Sequence, residues 1–409
     1  MTQPTGSVAG SRPSWRRSVI LEVDRTQVLR FRLSRHQLVE RLPPDGLDEA
    51  TALCGIQETP RRTAVVALHA RVEGVTRDGF ERALKHDKRL LLFWAMRGAP
   101  YLVPSDDAPV FATGSLPADE TSWRSFFGGW ATSLSEAGAN LPQLVDQAAE
   151  VAAAVLDGHQ LPVDEVRQAM AERMPAIQGL QRPAGAHADL PEPLYRALGP
   201  RRVACIVDSR RMTDATIART DQWLGEPLAG SAPDPEGARD ELLRRFLRCY
   251  GPSTPQGFAQ WTARSPADVR TVFDAIGEDL AQVRVEGSTE WLLASDLDAL
   301  ATPPRPTGVR LLPPQDPFLQ QRDRERLLPD KEQRRRLWRP VGGPGLVLVD
   351  GEPAGVWNAQ VDKRTLNITV NAFVPLSARD RRSIAAEADS LAPLRGAEQA
   401  RVTFADGAD

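Results

Sequence analysis

ARDELLRRFLRCYG (238–251), PSTPQGFAQWT (252–262), SPADVRTVFDAI (265–276) and AQVRVEGSTEWLLAS (281–295) stand in close succession, and their order decides the fold. The first reads as a helix ending at Gly251. The second is a short helix capped by Thr254, with Pro255 at its first position. The third has Ser265 as cap, Pro266 at N1 and Asp268 at N3. The fourth alternates like a β-hairpin turning near Gly287-Ser288. Helix, short helix, helix, hairpin is the order of a winged helix.

Two less sharp copies precede it. In the first, Thr26 is placed to cap a helix on which Val28, Leu29, Leu33 and Leu38 recur near the helical period. A helix over 48–55 stops near Gly55, Thr63–Arg71 resumes one, and Thr76 caps another. Leu90–Met96 is an apolar run, Arg97-Gly98 a turn and Tyr101–Val103 a short strand. The second copy runs from the striped helix of 142–157 through PVDEVRQAMAER to the strand-like RRVACIVD. Phe80 and Ala83, Val166 and Ala169, Phe258 and Trp261 align across the three short second helices. Copies starting roughly 85–95 residues apart suit tandem domains rather than a solenoid. Beyond residue 300 the chain turns Pro-rich, then strand-like, with turns at Asp350-Gly351 and Asp362-Lys363, a helix capped by Ser377, and a last strand in ARVTFAD.

The expected fold is therefore α+β. A flexible leader (1–25) precedes three tandem winged-helix units (26–118, 119–232 and 233–302), and a small β-rich, barrel-like C-terminal domain (303–409) closes the chain.

Composition excludes more than it assigns. With 41% hydrophobic and 26% charged residues the chain is ordinary globular material, and a net charge of −3 announces no polyanion partner. Arginine supplies nearly all the basic charge, Lys85, Lys88, Lys331 and Lys363 being the only lysines. A codon bias explains that as well as phosphate recognition does. Cys54, Cys205 and Cys249 have no CxxC spacing, and the five histidines no HExxH, so neither a disulfide framework nor a metal site is expected. No apolar run reaches the roughly 18 residues a membrane span needs. GK[ST], GxGxxG after a strand and GxSxG are all missing. A monomer in a reducing cytoplasm is expected, without a cofactor.

Local charge points to double-stranded DNA as the partner. The third helix of the clearest copy carries Arg264 and Arg270, and its wing carries Arg284. Between Arg322 and Arg339 eight basic residues face four acidic ones, with Arg322, Arg324, Arg334, Arg335, Arg336 and Arg339 as candidate phosphate contacts. Trp338 could lie on sugar or base faces. The alternative is a solvated loop with internal pairs, which Arg322-Asp323-Arg324-Glu325 would suit.

RFRLSRHQL, GIQETP, LLLFWAMRGAPYLVP, YGPSTPQGFAQW, LLPPQDPFLQQRDRERLLPD and GEPAGVW, in that order, give the chain a further character. Together they resemble the AlkZ-like DNA glycosylases, a winged-helix family whose members unhook interstrand crosslinks and excise alkylated purines. The resemblance implies three tandem winged helices and a barrel-like C-terminal domain in a concave shape. The family's Gln-x-Gln or Gln-x-Asp motif falls on Gln57-Glu58-Thr59. Its first glutamine carries over to Gln57, and its second place holds Thr59, a departure from both patterns.

The chemistry asked of these residues is modest. An N7- or N3-alkylated purine is already cationic, so its glycosidic bond breaks without protonation of the leaving group. The enzyme holds a water near C1′ and stabilises an oxocarbenium-like transition state. Gln57 would position that water with help from Thr59 or Glu58, although in an extended segment Glu58 points away from its two neighbours. Arg97 reads as a phosphate contact or a wing-turn salt bridge, Asp316 as a turn former before Pro317, and Trp94 and Tyr101 as core. The expected activity is that of a monofunctional glycosylase for alkylated purines or crosslinks. The alternatives are a non-catalytic winged-helix DNA binder and a protein-interaction scaffold.

Overall fold

A computed structural model describes residues 19–59, 63–178, 180, 190–208, 215–225, 234–339 and 342–405. The chain opens with β1 (Val19–Val23) and α1 (Arg25–Arg35). There follow α2 (Leu47–Ala52), β2 (Ile56–Gln57), α3 (Thr63–His69), α4 (Arg77–Lys85), β3 (Leu90–Trp94) and β4 (Pro100–Pro104). Three helices, α5 (Ala108–Thr113), α6 (Glu120–Phe127) and α7 (Trp130–Glu136), lead to a second succession. It comprises α8 (Leu141–Val155), β5 (Gln160–Pro162), α9 (Val163–Arg173), α10 (Glu192–Arg196), β6 (Ala204–Asp208), β7 (Thr216–Arg219) and α11 (Thr220–Leu224). The third comprises α12 (Pro235–Tyr250), α13 (Pro255–Thr262), α14 (Pro266–Ala275), β8 (Leu280–Val285), β9 (Ser288–Leu293) and α15 (Leu297–Ala301).

The first two successions each build a three-stranded sheet in which the strand before the hairpin lies beside the hairpin's second strand. The orders are β2-β4-β3 and β5-β7-β6. In the third, a single bridge from Ser253 to Trp291 takes the place of the short first strand. The β8–β9 turn has positive φ at Glu286 (47°) and Gly287 (88°), the pairing that matches strand twist in a two-residue hairpin.

The N-terminal segment departs from expectation. Val19–Val23, placed in the expected leader, forms β1 and adds in parallel to the outer edge of β8, with Glu22 opposite Arg284. Asp24, not Thr26, caps α1. Its carboxylate accepts from the Gln27 N–H at 2.8 Å while the Gln27 side chain accepts from the Asp24 N–H at 3.1 Å. That reciprocal capping box leaves Thr26 inside the first turn. Helix α1 packs on α12, α15 and α16, with Val28 and Phe31 joining Val283, Val285, Leu292 and Leu300 in one apolar cluster. Burial of those side chains outweighs sequence proximity.

The C-terminal region has β10 (Val309–Leu312), α16 (Arg324–Leu327), α17 (Lys331–Leu337), β11 (Gly345–Val349), β12 (Glu352–Asp362), β13 (Thr365–Ala372), α18 (Ala378–Leu391) and β14 (Gln399–Ala405). It is an open five-stranded sheet ordered β10-β11-β12-β13-β14, not the barrel expected. The reason lies in β14, which runs parallel to β13 and so needs a crossover. Helix α18 is that crossover. It packs on both edge strands, β14 and β10, and buries Ile384, Ala388 and Leu391 where closing strands would meet.

Candidate active site around Gln57

Strand β2 is two residues long, and Gly55 makes it possible. Gly55 turns the chain at φ +64°, and a Cβ there would stand 3.1 Å from both Tyr101 and Val103. The chain then pairs with β4, Ile56 opposite Leu102 and Gln57 opposite Tyr101. Gln57 is 8% exposed. Its Oε1 accepts a hydrogen bond from Nε2 of Gln320, 3.3 Å away across 263 residues of sequence.

Gln320 belongs to the segment between β10 and α16, which one fully buried and one partly buried ion pair hold in place. Arg71, just past α3, bonds both Asp316 carboxylate oxygens at 2.7 and 2.8 Å, both side chains being fully buried. Asp316 also accepts from the Phe318 N–H at 2.9 Å, so it fixes the turn as expected of it and closes an ion pair besides. Arg32 on α1 uses all five N–H donors: two on Asp323, one on Gln321 and one each on the Gly251 and Pro252 carbonyls. A guanidinium so deep is tolerable only when every donor is matched. Burial pushes the Asp323 carboxyl up, but Arg32 and Arg326 outweigh it and leave it below the usual carboxylate range.

The three motif residues part company here. The Glu58 carboxylate accepts from the Ala64 N–H at 2.6 Å and from the Thr63 hydroxyl at 3.4 Å, covering the free donors that open α3. It lines a small cavity of about 50 Å³ with Val65, Phe80, Leu84 and Leu102. Glu58 thus leaves the expected trio: extended backbone turns it from Gln57, and its carboxylate serves a helix end. The Thr59 Oγ1 is buried and has no hydrogen-bond partner among the described residues.

Arg97 sits in the turn between β3 and β4 with φ +56°. Its guanidinium donates to the Trp261 carbonyl and, at 3.2 Å, to Oε1 of Gln320. Gln320 Nε2 also reaches Oε1 of Gln315 at 2.8 Å. Arg97, Gln320, Gln315 and Gln57 are therefore one connected set. Neither Gln315 nor Gln320 stood out in sequence, although both lie in the stretch LLPPQDPFLQQRDRERLLPD. Beside them opens a cleft of about 320 Å³ lined by Gln315, Gln320, Arg324, Trp338 and Arg339.

The candidate DNA-binding arginines divide sharply. Arg264 is no surface contact: it is buried, pairs with Asp268 at 2.7 Å, and donates to the Gly114 and Leu116 carbonyls. Arg334 bonds the Leu328 and Pro329 carbonyls, and Arg336 bonds the Asn371 carbonyl while lying over the Phe373 ring. Both are spent on the structure. Arg270, Arg284, Arg335 and Arg339 are exposed. Arg324 lies over the Trp338 ring, 4.9 Å from its centroid, while Trp338 Nε1 donates to the Leu319 carbonyl at 3.2 Å. Arg322 has buried Nε and Nη2 atoms with no partner among the described residues. Burial, and after it the Arg97 guanidinium, pull its pKa down to about 10.

Folding also gathers a group that spacing had hidden. His36, Cys54 and Cys249 are buried with potential ligand atoms within 4.8 Å of one another. Among the described residues no fourth His, Cys, Asp or Glu joins them. Burial, then Arg71 and Arg32, hold His36 well below its usual pKa. A neutral imidazole among thiols beside two guanidiniums is the make-up of a core, with cations already at hand. Among the described residues no helix is long and apolar enough to cross a membrane.

With this geometry in view, comparison with known proteins gives a class. The profile of the DNA glycosylase AlkZ-like family matches residues 50–394, and the chain belongs to that family. It is 29% identical over 339 residues to an interstrand DNA cross-link repair glycosylase of Streptomyces sahachiroi, spanning 81% of this chain and 86% of the relative. The solved structure of the Streptomyces sahachiroi DNA glycosylase AlkZ superposes with a TM-score of 0.75 at 24% identity, covering 94% of this chain and all of that one. The mixed α+β fold is thus shared.

Proposed function

We propose that this protein is a monofunctional DNA glycosylase that hydrolyses the N-glycosidic bond of cationic alkylated purines, including those in interstrand crosslinks. The observation carrying the reading is Gln57, a buried amide held by a directed hydrogen bond, in a chain of the DNA glycosylase AlkZ-like family and at the place where the resemblance puts that family's motif. Its carbonyl oxygen keeps a second lone pair for a water, and the Thr59 hydroxyl, without a partner among the described residues, is a second polar atom on the same segment. Because the leaving base already carries positive charge, a positioned water and no carboxylate base suffice. The cross-link repair activity named for the relative is the precedent.

In the same reading the three helix–helix–hairpin successions are winged helices, over 26–118, 119–232 and 233–302, with β1 and α1 borrowed by the third and a β-rich domain at 303–409. The repeated sheet order supports this. The protein would work as a cytoplasmic monomer on duplex DNA, without metal or cofactor. Its phosphate contacts would come from the exposed Arg270, Arg284, Arg335 and Arg339 and from Arg97, Arg322 and Arg324 near the site.

The test is base release from duplex DNA carrying N7-alkylguanine, read as alkali-labile strand breaks. The wild type should release base and Gln57→Ala should lose at least about 100-fold of the rate, the scale on which misplacing a reactant acts. Equal release by the two proteins sinks the proposal. A non-catalytic DNA binder is the second reading, favoured by Thr59 in the second motif place. It predicts that Gln57→Ala protects cells against alkylating agents as well as the wild type does.

A further inference from the structure

We infer that Gln320, supplied from the far side of the sequence, sets the orientation of the Gln57 amide. The inference rests on the glycosylase reading above.

The argument starts from what each group can do in a hydrogen bond. A guanidinium only donates. Arg97 therefore fixes which end of the Gln320 amide faces it: Oε1, at 3.2 Å. The NH₂ of Gln320 must then face the other way, and its bonds run there, to Oε1 of Gln57 at 3.3 Å, to Oε1 of Gln315 at 2.8 Å and to the Gln315 carbonyl at 3.4 Å. With a donor presented to it, Gln57 turns its carbonyl oxygen towards Gln320 and its own NH₂ away. An amide placed alone could take either flip at little cost, and only one puts the acceptor where a water can use it. Direction thus passes from Arg97 through Gln320 to Gln57.

Two further observations support a built arrangement. Gln315 stands at φ +60°, a conformation rare for a side-chain-bearing residue and typical of constrained sites. Gln320 is 7% exposed, and Arg71–Asp316 and Arg32–Asp323 clamp the chain on either side of it. Gln320 touches no reacting atom in this scheme and is a positioning residue.

Gln320→Glu separates positioning from bulk structure. A glutamate keeps the shape and satisfies Arg97, but when ionised it offers no donor. Gln57 must then flip to donate to it, carrying the acceptor away from the water. Protonation restores a donor. Base release on N7-alkylguanine duplex should be about 10- to 100-fold slower for Gln320→Glu at neutral pH. The deficit should shrink as pH falls towards 5, with KM for DNA unchanged, whereas the wild type has no such acid-side recovery. Gln320→Leu should be slow at every pH. A Gln320→Glu enzyme at the wild-type rate, or one whose loss is pH-independent or lies in KM, overturns the inference while leaving Gln57 its role. A wild type no faster than Gln57→Ala overturns instead the reading beneath it.

Discussion

Arg71 and Asp316 are fully buried, 245 residues apart in sequence, and joined by two hydrogen bonds. Such a pair stabilises little against an apolar substitute, but breaking it is costly because one charge stays behind in the core. Asp316→Asn should lower unfolding free energy by about 3–5 kcal/mol in urea titrations. Arg71→Met with Asp316→Leu should recover much of that; a double variant no better than the single one would deny that the stranded charge is the cause. His36 offers a pH test. Burial and two guanidiniums hold its pKa well below the usual imidazole value in the folded state, and burial also lowers that of His69 against the pull of Glu387. Below about pH 6.5 the unfolded chain takes up protons that these folded imidazoles refuse, so stability falls as pH drops from 7 to 5. The slope is at most about 1.4 kcal/mol per pH unit for each histidine. His36→Gln should remove one share of it, and parallel wild-type and variant plots of stability against pH would refute the assignment.

At the scale of elements, α14 and the turn before it show how neighbouring arginines can serve opposite uses. Arg264, just before its cap, is locked onto Asp268 and the 114–116 backbone. Arg270, on the outer face, is exposed. Arg264→Met should lower the melting temperature and leave the salt dependence of DNA binding alone. Arg270→Ala should do the reverse, reducing the slope of log K against log salt by about 0.9. A changed slope for Arg264→Met would put that side chain at the DNA after all. Cap and turn chemistry made most elements legible in sequence: Thr76, Thr254, Ser265 and Ser377 all cap where expected, because capping is a bond to a neighbour three residues on. Val19–Val23 was illegible, since its strand exists only by pairing with β8, some 260 residues later.

For the whole molecule, a net charge of −3 hides an uneven surface, so binding should show in its salt response rather than in the charge total. Phosphate contacts by several arginines should make affinity for duplex DNA fall steeply between 50 and 200 mM salt, about 0.9 log units per log salt for each contact. A flat response would remove DNA from the account. The sequence by itself determined what local chemistry governs: helices, caps, hairpin turns, the apolar faces and the family resemblance. Only the tertiary structure decided which charged and polar groups are spent inside and which are left over. It turned Arg264 inward, gave Glu58 to a helix end, kept the C-terminal sheet open under α18, and brought Gln320 beside Gln57. The reason is physical. A hydrogen bond to a near neighbour leaves its mark in spacing, whereas one between residues 263 positions apart depends on how buried apolar faces and paired charges bring distant segments together.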